Sequence, residues 1–72
     1  MTNAQLLEKL AEVEGFDSWE EMLQANAVDS VVPAICKECE YTDGMEPDQD
    51  RGWCPECSKN TMVSCMVLAG VI

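Results

Sequence analysis

A small α+β domain, with helices first and a strand-bearing module after them, is predicted by three observations. The chain has 72 residues, enough for one domain and little more. Apolar side chains recur at helical spacing over residues 2 to about 29. The remainder is punctuated by Gly and Pro, opens on β-branched residues and carries all five cysteines. A core this small supplies only about 3–5 kcal/mol of net stability, so a disulfide, a metal or oligomerisation is expected to reinforce it.

The first part reads as a helical hairpin over residues 1–30. Thr2 and Gln5 fit a capping box, in which each side chain satisfies the other's backbone amide. Leu6, Leu10 and Val13 follow at helical spacing and Leu7 widens the stripe. Gly15 is a natural stop, since glycine adopts the left-handed conformation at a helix end without strain. Asp17 with Glu20, or Ser18 with Glu21, restarts a helix by the same capping logic. Trp19, Met22, Leu23 and Ala27 form its apolar face, and Glu20 and Glu21 sit where the helix dipole favours them. The stripe is expected to pack against the second part, with a docking face as the alternative.

Residues 31–72 complete the same folding unit. Val31, Val32 and Ile35 lead into the first cysteine pair, while Pro33 predicts an edge or a bend rather than a central strand. Residues 42–52, with Gly44, Pro47, Gly52 and several acidic side chains, read as a loop. Residues 61–72 are apolar and read as a helix or a strand. Val63, Val67, Val71 and Ile72 favour a strand. Asn60 or Thr61 as a cap and Gly70 as a stop favour a helix of about two turns, the preferred reading.

The cysteines carry the chemistry. Cys36-Lys37-Glu38-Cys39 and Cys54-Pro55-Glu56-Cys57 make two C-x2-C pairs with fourteen residues between them. A gap of two lets both sulfurs of a tight turn face one ion, and two such turns close a tetrahedral shell. Cys36, Cys39, Cys54 and Cys57 are therefore read as ligands of one structural Zn²⁺, which makes the second part a four-cysteine zinc ribbon with an apolar C-terminal segment. Two disulfides are the competing reading, disfavoured in a reducing compartment. A thioredoxin-like motif would need a βαβ unit, and none is seen. The turns also resemble rubredoxin knuckles, and four sulfurs suit iron as well as zinc, but the pairs are closer together than in rubredoxins and few aromatics are available to shield an iron. Cys65 has no partner at x2 spacing and reads as a buried free thiol.

Charge bounds the partners. Asp and Glu number 14 against 4 Lys and Arg, for a formal charge of −10. Four thiolates and one Zn²⁺ would lower it by a further two. Nucleic acids and anionic membranes are bound through clustered basic groups, whereas Lys9, Lys37, Arg51 and Lys59 are scattered. The segment from Met1 to Lys9 lacks a signal-peptide pattern, and the apolar run of residues 62–72 is too short for a membrane span of about 20 residues. A cytoplasmic setting is expected. The chain has no histidine, so His-based catalysis is excluded, and a four-thiolate zinc leaves no open position for water. A non-enzymatic protein is expected. Asp48-Gln49-Asp50-Arg51-Gly52 does not follow the EF-hand ligand order.

The residues Asp29-Ser30-Val31-Val32-Pro33-Ala34, the first cysteine pair, Glu46-Pro47-Asp48-Gln49-Asp50-Arg51-Gly52-Trp53-Cys54 and Val67-Leu68-Ala69-Gly70-Val71-Ile72 resemble a group of small uncharacterised zinc-ribbon proteins of bacteriophages and bacteria. The resemblance implies a four-cysteine zinc ribbon in a phage or prokaryotic setting and supplies no activity. The leading functional reading is an acidic protein-binding module that modulates host machinery. A nucleic-acid-binding ribbon of the transcription type is the alternative, and an iron-loaded redox protein is the weaker one. Self-association through residues 62–72 is a further expectation, and Trp53 is expected to pack inward rather than face a partner.

Overall fold

The computed structural model describes residues 2–72, so Met1 of the expected hairpin lies outside the described residues. The order is α1 (Asn3–Glu14), α2 (Trp19–Ala25), β1 (Val32–Cys36), β2 (Thr42–Met45), β3 (Gly52–Cys54), β4 (Lys59–Ser64) and α3 (Cys65–Leu68). This is an α+β arrangement of three helices and one antiparallel sheet, with strand order β2-β1-β4-β3.

Local signals set the helix ends. Thr2 and Gln5 form the capping box, with Gln5 N–H donating to Thr2 Oγ1 at 3.2 Å and Thr2 N–H to Gln5 Oε1 at 2.8 Å. Gly15 ends α1 at φ 84°. Of the two alternatives for α2, Ser18 is the cap and accepts from Glu21 N–H at 3.2 Å. The buried face of α1 is Leu6, Leu7, Leu10 and Ala11, whereas Val13 is 51% exposed. Met22 is the buried residue of α2, with Trp19 and Leu23 half-buried and Ala27 exposed.

The sheet divides the interior in two. Ile35 on β1 lies opposite Val63 on β4, and both join Leu6, Leu10, Met22, Cys65, Met66 and Leu68 in the core beneath the helices. Cys36 lies opposite Met62, and both join Ala34 and Cys54 in a second, smaller core. The alternation of strand side chains thus sends one set of residues toward the helices and the next toward the cysteines.

Three expectations are corrected. Pro33 lies in β1, an inner strand of the sheet. It is tolerated because it pairs with Gly44 of β2 alone, β4 joining β1 only from Ala34 onward. Residues 42–52 are not wholly loop, since β2 forms there with Met45 opposite Val32 and Thr42 opposite Ile35. Residues 61–72 are both strand and helix. β4 runs to Ser64, which caps the single turn of α3 by accepting from Val67 N–H at 3.2 Å, and Gly70 follows at φ 75°. No helix among the described residues is long and apolar enough to cross a membrane.

Candidate metal centre

Each cysteine pair sits on a turn between two strands. β1 delivers Cys36 at its end and β3 delivers Cys54 at its end. The two turns close identically. Glu40 N–H donates to the Cys36 carbonyl at 3.1 Å, and Ser58 N–H donates to the Cys54 carbonyl at 2.8 Å. Each donor is the residue after the second cysteine and each is left-handed, Glu40 at φ 65° and Ser58 at φ 56°. The chain therefore closes both turns with the same backbone bond, and β4 pairs with β1 and β3 so as to hold the two side by side.

The four sulfurs of Cys36, Cys39, Cys54 and Cys57 all lie within 4.8 Å of one another. Two approaches cross between knuckles, Cys36 to Cys57 at 3.6 Å and Cys39 to Cys54 at 3.5 Å. Sulfurs bonded to one tetrahedral ion at about 2.3 Å stand about 3.8 Å apart, whereas a disulfide needs about 2.05 Å. The donor set fits a thiophilic metal, and all five cysteines are free thiols. Four soft sulfurs suit zinc and iron alike. Cys36 and Cys54 are buried, Cys57 is half-buried and Cys39 is exposed, so the cluster lies at the protein surface with its inner side sealed.

Hydrogen bonds prepare one sulfur for the anionic state. Cys36 Sγ accepts from the Glu38 and Cys39 amides, each at 3.4 Å, and lies 3.0 Å from Thr61 Oγ1. Burial is the largest influence on this thiol and raises its pKa, but the Cys39 amide, the Thr61 hydroxyl, the Glu38 amide and the Cys39 thiol together outweigh it and hold Cys36 at about 6. Cys57 is raised, first by the neighbouring Cys39 and then by burial. For Cys39, contacts from Cys57 and the Tyr41 amide lower the value, yet burial and the sulfurs of Cys54 and Cys36 leave a net rise. Clustered thiols cannot all ionise together without a compensating cation.

Sequence reasoning located the four sulfurs and missed the parts that support them. Thr61 was read as a helix cap but stands on β4 against Cys36. Nothing in their residue types marks Glu40 and Ser58 as left-handed, and the only signal is their equivalent place after each pair. Lys59 on β4 reaches Glu38 of the first knuckle at 3.6 Å, an exposed pair of small energetic weight. Cys65 is buried in the helix-side core, and burial pushes its thiol up. Trp53, between buried Gly52 and buried Cys54, is 55% exposed rather than packed inward. The chain matches no known protein-family model, no curated protein and no solved structure.

Proposed function

We propose that this chain is a small zinc-ribbon protein in which Cys36, Cys39, Cys54 and Cys57 hold one structural zinc ion. The supporting observation is the meeting of four free sulfurs, within 4.8 Å, on two turns closed by the same backbone bond. Zinc is preferred to iron because the cluster is poorly shielded. Cys39 is exposed, Tyr41 is the one aromatic among the described residues packed beside the cluster, and Trp53 turns outward. When bound, the ion cross-links the two knuckles and stabilises a fold whose core is small.

The proposed role is non-catalytic: an acidic protein-binding module, in the phage or bacterial setting that the resemblance of residues 29–72 implies, acting on host machinery. Four thiolate ligands leave no open coordination position, and no histidine is present to replace one as acid or base. The charge of −10 favours a basic protein surface over nucleic acid or an anionic membrane.

Elemental analysis of the purified protein tests the metal reading. One zinc per chain and a colourless protein are expected, and a coloured protein with stoichiometric iron would overturn it. A pull-down from bacterial lysate, with Cys36→Ser as control, tests the role. Capture of one stoichiometric protein by the zinc-loaded form alone is expected, and recovery of nucleic acid instead would discard the charge argument.

A further inference from the structure

The fold forms an apolar cleft on the helix side of the molecule. It encloses about 620 Å³ between α2, Pro47 and the C-terminal residues. Leu23, Ala27, Met66 and Pro47 line it together with Val71 and Ile72, which are 62% and 63% exposed. With Leu23, Ala27 and Met66 they make one contiguous apolar surface, the kind of patch that marks an interaction site. Its polar lining includes Glu20 and Asp29 and no basic residue.

The placement of the four cations sharpens that asymmetry. Lys37 and Arg51 border a separate hollow near Thr61, Lys59 is engaged with Glu38, and Lys9 is on α1. The cleft is thus apolar within and acidic at its border.

We propose that this cleft is the docking site for a basic amphipathic segment of a partner protein. Apolar side chains of the segment enter between Leu23, Met66 and Ile72, and its Lys or Arg residues meet Glu20 and Asp29. Charge complementarity selects this occupant. A second copy of the chain brings the same acidic border and the same net charge of −10, so like charges would face each other. The inference rests on the protein-binding reading and adds to it a place and a partner chemistry.

The test uses the zinc-loaded full chain, ¹⁵N-labelled. The probe is an amphipathic Leu/Lys peptide of roughly 14 residues with helical periodicity, beside a Leu/Glu peptide of the same pattern. Amide shifts should cluster at Leu23, Ala27, Met66 and Val71, and the Leu/Glu peptide should produce none. Glu20→Lys with Asp29→Lys should weaken Leu/Lys binding at least about 10-fold, as should Ile72→Asp. Glu8→Lys with Glu12→Lys, the same charge change on α1, should stay within about twofold of the unaltered protein. Equal weakening by both charge pairs, or shifts scattered over every acidic surface, would overturn the proposal. So would concentration-dependent shifts at the cleft without peptide, which would identify a second copy as the occupant. A host protein captured equally by the unaltered chain and by the Glu20→Lys, Asp29→Lys variant would discard the cleft while leaving the protein-binding reading intact.

Discussion

The hydroxyl of Thr61 lies 3.0 Å from the sulfur of Cys36, although the two residues belong to different strands. Facing a thiolate, the hydroxyl is the donor, because an ionised sulfur has no proton to give. Groups that hydrogen-bond a metal ligand typically change metal affinity by about 10–100-fold when removed. Thr61→Val keeps the branched shape that suits β4 and deletes the donor. We expect zinc affinity to fall by about 10-fold, with the fold retained in excess zinc and Thr61→Ser close to the unaltered protein. Competition against a chromophoric chelator measures this, and an unchanged affinity for Thr61→Val would show that the contact is incidental.

The left-handed residues that close the knuckles give a second prediction. A non-glycine residue in that conformation costs roughly 1–2 kcal/mol, and part of this returns as unfolded-state entropy when glycine is introduced. Glu40→Gly and Ser58→Gly should each stabilise the zinc-loaded protein by up to about 1 kcal/mol. Ser58→Val should destabilise it, because a branched Cβ is poorly accommodated at φ 56°. Urea unfolding at fixed free zinc separates the cases. Destabilisation by both glycines would mean that the side chains of Glu40 and Ser58 contribute more than their backbone strain costs.

Ser64 joins the sheet to α3 and is the one buried polar side chain among the described residues. Its hydroxyl donates to the Pro47 carbonyl and accepts from Val67 N–H, and its own N–H donates to the Gln49 carbonyl at 2.9 Å. Ser64→Ala would therefore remove a helix cap and orphan a carbonyl. The expected loss is about 1–3 kcal/mol, read from the shift of the urea midpoint, with zinc stoichiometry unchanged. A loss below about 0.5 kcal/mol would indicate that water replaces the hydroxyl.

How much of this was legible in the sequence depends on the range of the interaction. Thr2 with Gln5, Gly15, and Ser18 with Glu21 act within four residues, and the helix ends lie where those residues put them. The meeting of the four cysteines was legible from spacing alone. β2 was not, because Asp43 and Gly44 have poor strand propensity and pair only through a neighbour, with Pro33 opposite Gly44 and Ala34 opposite Asp43. Trp53 was misjudged by treating bulk as decisive. On a three-residue strand whose Gly52 and Cys54 are both buried, residue 53 faces outward, even though the pairing with β4 shifts register between Gly52 and Trp53. Val13 failed for a similar reason, since the buried stripe of α1 centres on Leu6, Leu7, Leu10 and Ala11 and leaves Val13 beyond its edge.

The last prediction concerns protons. In the proposed site zinc would take four thiolates, so the number of protons released on binding would equal the number still carried by the sulfurs beforehand. In the metal-free fold Cys36 sits at about 6, below the usual thiol value of 9.0, while Cys39 and Cys57 are raised. A lowered folded-state pKa favours the ionised form, so Cys36 has given up most of its proton at pH 7 and regains it as pH falls through about 6. Fewer than four protons should therefore be released per zinc at pH 7, and the number should rise as pH falls through 6. Calorimetric titration in buffers of different ionisation enthalpy measures the count. Thr61→Val, by removing one of the donors that lower Cys36, should move that climb to higher pH. Release of four protons at pH 7 would mean that the pre-ionised knuckle does not exist without metal, and that the fold around Cys36 forms only as zinc binds.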